Sequence, residues 1–90
     1  MSNYRLEILV KPRPGLLDPA GKAIHHALVA LGWDGIEDVR VGKAIYVDIA
    51  ADSEAGAVEL AEAMCRRLLA NPVTEDFEVS VVGALEGAGS

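Results

Sequence analysis

The sequence predicts an α+β fold of the ferredoxin-like type, a βαββαβ sandwich with a four-stranded antiparallel sheet and two helices on one face. Three observations carry that expectation. Short runs alternate apolar and polar residues, two longer runs repeat apolar residues every three or four positions, and the two kinds follow the order β-α-β-β-α-β.

The first run is YRLEILV, residues 4–10, with Tyr4, Leu6, Ile8 and Val10 on one face and Arg5, Glu7 and Leu9 on the other. The period then changes. From Asp18 to Leu31, Ala23, Ile24, Ala27, Leu28 and Leu31 form one helical stripe. Asp18 suits the N-cap, Pro19 the first helical position and Gly32 the C-terminal stop. In IEDVRVGKAIYVDIA, residues 36–50, Val39 and Val41 precede Gly42-Lys43, and Ile45, Val47 and Ile49 alternate with Ala44, Tyr46 and Asp48. Two strands joined by a tight turn, with Gly42 at its first central position, account for this pattern.

ADSEAG opens a second helix, capped by Asp52 or Ser53, whose buried stripe is Val58, Ala61, Met64, Cys65 and Leu68. Asn71-Pro72 ends it, because proline disfavours helix in the residue before it. EDFEVSVVG, residues 75–83, is the last strand, with Phe77, Val79 and Val81 inward. Residues 1–83 are expected to form one domain, and the patternless ALEGAGS, residues 84–90, a disordered tail. Right-handed crossovers place both helices on one sheet face, with the first and third strands central. The other face stays open, with Leu9, Tyr46 and Val82 beside Arg5, Glu7, Arg40 and Asp48.

Fourteen acids against eight Lys and Arg give a formal charge of −6, which disfavours nucleic acid and anionic membrane. Cys65 is alone, so no internal disulfide forms. The start lacks a signal peptide's features, and no apolar run approaches the roughly 20 residues that span a membrane. A cytoplasmic location is expected.

No stretch assembles a nucleophile with its base. The loop KPRPG before the first helix is locally basic, through Lys11, Arg13 and Lys22, and could be read as an anion cradle. Pro12, Pro14 and Pro19 remove N–H donors, and Asp18 puts a carboxylate where a phosphate would lie, so a capped connector is the better reading. The same prolines argue against an acylphosphatase-like loop, and a metal carrier would need a CxxC that is absent. His25 and His26 diverge by about 100° around a helix and do not share a metal ion. Glu75 and Asp76 point to opposite strand faces, which disfavours an acid/base pair.

LLDPAGKAI (16–24), VRVGK (39–43) and MCRRLLANPVTEDFEV (64–79) together resemble the PurS subunit of phosphoribosylformylglycinamidine synthase, and the resemblance runs from about Tyr4 to Val82. It departs at Ala20, where the family commonly has Gln, and at Pro12-Arg13, which replaces a more usual Leu-Lys. The resemblance implies a small non-catalytic subunit acting in de novo purine (IMP) biosynthesis. It would assemble an ATP-dependent synthetase with a glutaminase and assist ammonia transfer between them. It further implies homodimers or dimers of dimers, no cofactor or metal on this chain, and ATP, magnesium and glutamine used by the complex. As an enzyme the chain would count only as one subunit of a glutamine-hydrolysing C–N ligase. Asp18, Pro19, Gly21, Gly42, Asn71 and Pro72 each have a backbone duty. Arg40, Lys43, Glu75 and Asp76 do not, which makes them the candidate partner contacts. The alternative is an ACT-like regulatory domain that binds a small molecule between paired copies.

Overall fold

In the computed structural model, which describes residues 1–85, the chain forms β1 (Ser2–Pro12), α1 (Pro19–Ala30), β2 (Lys43–Ala51), α2 (Glu54–Met64) and β3 (Glu75–Leu85). One π-helical turn, Cys65–Leu69, continues α2. The sheet has three antiparallel strands in the order β2-β1-β3. Its register sets Ser2 opposite Ala51 and Val10 opposite Lys43 on one side, and Pro12 opposite Glu75 on the other. Between Arg5 and Leu6 the β1–β3 register slips: Arg5 faces Gly83 while Leu6 faces Val81, so Val82 is left unopposed as a bulge.

The alternation read from the sequence holds on β1, where Leu6, Ile8 and Val10 are buried. They join Ile49 and Ala51 of β2, Ala57, Ala61 and Cys65 of the second helix, and Ala70 in one core. Phe77, Val79 and Val81 pack against it from β3, as their spacing predicts. Ser53, not Asp52, caps α2: its Oγ accepts from the Gly56 N–H at 3.0 Å.

The buried stripe of α2 differs from expectation. Ala61 and Cys65 are buried and Val58 packs at the rim, but Met64 and Leu68 are 38% and 83% exposed, and Ala57 joins the core instead. The helix turns its small residues to the sheet, which lets the two backbones approach closely. Positions 57, 61 and 65 and positions 60, 64 and 68 share one spacing, so periodicity alone does not choose between them. The π turn, in which the Ala70 N–H donates to the Cys65 carbonyl at 3.0 Å, adds one residue and keeps Ala70 on the core side.

The expected strand over residues 36–41 does not join the sheet, which makes the sheet three-stranded. The segment is held by the start of α1. The Val41 N–H donates to Asp18 Oδ2 at 2.8 Å, His25 Nε2 donates to the Ile36 carbonyl at 2.8 Å, and Arg40 donates to the Arg13 carbonyl at 2.7 Å and the Leu16 carbonyl at 3.1 Å. With these groups engaged, no ladder to β2 forms and Gly42 makes no hairpin. Gly42 lacks the positive φ that a turn with glycine first would need. It is small for another reason, since a Cβ there would lie 2.6 Å from the Val10 carbonyl oxygen.

The first helix is bounded as its sequence predicts. Asp18 Oδ1 accepts from the Gly21 N–H at 3.0 Å. At the other end Gly32, with φ of 102°, donates to Val29, and Trp33 donates to Leu28, a Schellman motif. The helix does not, however, lie beside α2 on the sheet. Gly21 is its sole buried residue, and it adds nothing to the core. The radius of gyration is 17.0 Å, against about 12 Å for a compact chain of this length. No helix among the described residues is long and apolar enough to cross a membrane. The tail expected at 84–90 falls outside the described residues from 86 onward, while Ala84 and Leu85 belong to β3.

Candidate partner-contact surface

The strand register brings the four candidate contacts to one end of the sheet. Lys43 begins β2 opposite Val10, and Glu75 and Asp76 begin β3 opposite Pro12 and Lys11. Arg40 reaches the loop that leaves β1 at this same end. Charges 36 residues apart in sequence (Arg40 and Asp76) thus border one rim.

Their surroundings differ. Arg40 spends its guanidinium on two loop carbonyls, so it fixes the 36–41 segment instead of lying on the open sheet face. Glu75 Oε1 accepts from the Asn71 N–H at 2.7 Å and shapes the turn into β3. Asp76 Oδ1 lies 3.4 Å from Arg13 Nε. Lys43 is exposed and makes no side-chain hydrogen bond or ion pair among the described residues. It is the candidate whose charge remains directed to solvent.

Two cations at this end were not singled out as contacts from sequence. Arg13 donates from its guanidinium to the Pro72 carbonyl at 2.6 Å and from its backbone N–H to the Thr74 carbonyl at 2.9 Å. Lys11 pairs with Glu78 at 3.1 Å across β1 and β3. No short-range signal marks either role, because the partners lie about 60 residues along the chain and only the register joins them. Arg13, Arg66, Glu75 and Asp76 rim a hollow of about 420 Å³ floored by Cys65 and Phe77. Burial pushes the Cys65 thiol above its ordinary pKa, so it packs as a neutral apolar group.

The motif residues keep the loops around this rim in place. Asp18 bridges the Gly21 and Val41 N–H groups, and these two bonds hold its carboxyl below the usual carboxylate range. The start of α1 is therefore filled by the chain's own carboxylate. Gly21 is pressed against the Val39 carbonyl oxygen, where a Cβ has no room. Asn71 Oδ1 accepts from the Val73 N–H at 2.9 Å, and its carbonyl accepts from the Thr74 and Glu75 N–H groups, closing the turn around Pro72. Pro19 occupies the first turn of α1.

On the open sheet face, Arg5 pairs with Asp48 at 2.8 and 3.0 Å, and Tyr46 donates to Glu7 at 2.7 Å. The guanidinium lowers the Asp48 pKa, and the Glu7 carboxylate raises that of Tyr46. Tyr46 and Val82 are exposed and Leu9 is half-buried, so this face carries scattered apolar groups among cross-strand pairs. His25 is tied to Ile36 and His26 is exposed; among the described residues no group of three His, Cys, Asp or Glu side chains is placed to hold a metal ion.

Comparison with known proteins places this geometry. A model of the family described as PurS, phosphoribosylformylglycinamidine (FGAM) synthase, matches residues 5–83. The PurS subunit of Synechocystis sp. is 44% identical over 96% of this chain and 85% of its own length. The crystal structure of Methanocaldococcus jannaschii PurS, one of the subunits of formylglycinamide ribonucleotide amidotransferase in the purine biosynthetic pathway, superposes with a TM-score of 0.79 at 36% identity, covering 92% of this chain and 99% of that one. A chain of PurLQS from Thermotoga maritima superposes at 0.82 with 31% identity, covering 91% of this chain and all of that one. Matched over nearly its whole length in sequence and in fold, the chain belongs to the PurS family of phosphoribosylformylglycinamidine synthase subunits.

Proposed function

We propose that this chain is the small subunit of a phosphoribosylformylglycinamidine synthase in purine biosynthesis, and that it works by contact alone, without catalytic residues of its own. Its partners are a large synthetase subunit, which uses ATP and magnesium, and a glutaminase subunit that releases ammonia from glutamine. The observation that carries this reading is the match, over the full length of the neighbour, to a chain of the PurLQS structure. The physical need is clear. Ammonia is mostly protonated at neutral pH and diffuses away, so the two active sites must be held together with water excluded.

The charged rim at the Lys43–Glu75 end is the surface offered to the larger subunits, with Lys43 and Asp76 as contacts and Arg40 and Glu75 as the groups that hold its loops. The chain acts in the cytoplasm and as a homodimer or a dimer of dimers. Mixing the purified protein with its two partner subunits should restore glutamine-dependent turnover that neither partner pair nor this chain gives alone. Appreciable turnover by the isolated chain, or full turnover by the partners without it, would overturn the proposal.

A further inference from the structure

The end of the second helix shapes a cavity. In the π turn Cys65–Leu69 the Ala70 N–H donates to the Cys65 carbonyl at 3.0 Å, one residue beyond the partner an α-helix would use. Such turns are rare and concentrate at functional sites. This one contributes Cys65, Arg66 and Ala70 to the hollow of about 420 Å³. Cys65 and Ala70 are buried and close its floor, while half-buried Phe77 and exposed Pro72 give it apolar walls. Its volume lies in the range of small-ligand sites, about 300–1,000 Å³.

Four charged groups stand on the rim, and three are already engaged. Arg13 donates to the Pro72 carbonyl and faces Asp76 at 3.4 Å, and Glu75 accepts from the Asn71 N–H. Arg66 is exposed and makes no side-chain hydrogen bond or ion pair among the described residues. Its charge nevertheless reaches the floor: burial raises the Cys65 pKa, and Arg66 opposes that effect. The hollow therefore sets one uncommitted guanidinium, with paired N–H donors that match a carboxylate, beside a walled apolar space. A cationic ligand would meet Arg66 and find both acids committed. A phosphate dianion would bring a second negative charge beside Glu75 and Asp76 with one free cation to receive it.

We infer that this hollow binds a monocarboxylate carried on an apolar body, with Arg66 receiving the carboxylate and Cys65, Ala70, Pro72 and Phe77 receiving the body. A free organic acid and a polypeptide chain end present this same group. The site lies on the rim proposed to meet the larger subunits but does not rest on that role, since all its groups come from one protomer.

The test titrates the isolated protein with 3-phenylpropionate and follows backbone amides by NMR, so it can fail while reconstitution of turnover succeeds, and the reverse. Signals of residues 65–70 and of Phe77 should shift saturably. The alcohol 3-phenylpropan-1-ol, which keeps the body, and acetate, which keeps the charge, should each bind about tenfold more weakly or worse. Arg66→Gln should weaken 3-phenylpropionate about tenfold with the folded spectrum kept, and Arg67→Gln, outside the hollow, should not. Should Arg66→Gln lose the fold, the alcohol comparison decides. A short peptide ending in phenylalanine separates the sources: binding tighter than that of 3-phenylpropionate, and lost in its C-terminal amide, assigns a chain end, and equal or weaker binding assigns a free acid. Absence of saturable shifts at these residues, equal affinity for the alcohol, or full affinity in folded Arg66→Gln would overturn the inference.

Discussion

Gly21→Ala offers a test in which general helix chemistry and this particular structure disagree in sign. Alanine within a helix is ordinarily better than glycine by about 1 kcal/mol, because it has less backbone freedom to lose. Here a Cβ at position 21 would overlap the Val39 carbonyl oxygen and lie 2.7 Å from Asp18 Oδ2. The first of these atoms is backbone, fixed through Val41 to Asp18 and through Arg40 to the Arg13 loop, so no rotamer change relieves it. Overpacking of this kind costs about 1–3 kcal/mol, and a backbone obstacle belongs at the upper end. The expected net loss is about 2 kcal/mol, or about 2 M in the urea midpoint at a slope near 1 kcal/mol/M. Gly56→Ala is the control, since its Cβ would meet only the Ser53 hydroxyl at 3.2 Å, and it should stay within about 0.5 kcal/mol of wild type. Both are read by urea titration at one protein concentration, following circular dichroism and Trp33 fluorescence. A Gly21→Ala protein as stable as wild type, or more so, would refute the packing of residues 36–41 on α1.

Truncation of Ile8, fully buried between β2 and β3, to Ala should cost about 2–5 kcal/mol by the same titration. Asp18 and Asp48 have folded-state pKa values below the ordinary 3.8, so their stabilisation is complete above that value and is lost as pH falls through the lowered ones. An acid titration of stability should therefore flatten in Asp18→Asn, while the neutral-pH fold is retained. Lys43→Glu should leave the melting temperature unchanged but weaken binding to the partner subunits, raising Kd about tenfold in a binding titration, roughly 1.4 kcal/mol. Unaltered affinity across salt concentrations would remove Lys43 from the contact surface.

Local signals in the sequence were reliable where one neighbour decides the outcome. The Asp18 cap, Pro19, the Gly32 stop and the Asn71-Pro72 turn depend on residues within a few positions, and the structure places them as read. Alternation on β1 and β3 likewise fixes which side chains face inward. The failures share a cause. Val39 and Val41 alternate like a strand, but whether they pair with β2 depends on Asp18, His25 and Arg40 competing for the same segment. The stripe on α2 failed because two sets of apolar residues have equal spacing and only the sheet chooses the smaller ones. Charge and position made Arg40, Lys43, Glu75 and Asp76 candidate contacts, and of these Lys43 alone makes no side-chain bond among the described residues. That Arg40 and Glu75 serve loops, and that Arg13 joins them, needed the register.

The bonds that Asp18, His25 and Arg40 make also shape the surface on which the proposed contact role depends. A sequence-predicted fourth strand would have closed β2 and drawn α1 onto the sheet, giving a compact monomer whose contacts point inward. In the observed arrangement the short tethers from Asp18 and Arg40 hold the 36–41 segment against α1, and the helix adds nothing to the core. On the proposed role, the charged end of the sheet is the surface that meets the two larger partners, and Arg40 fixes the loops beside it. Weakening the tethers should therefore affect partner binding before it affects the sheet: Arg40→Ala is expected to raise the Kd for the partner subunits at unchanged strand content, and a loss of strand content that precedes the loss of binding would separate the two effects in the opposite order.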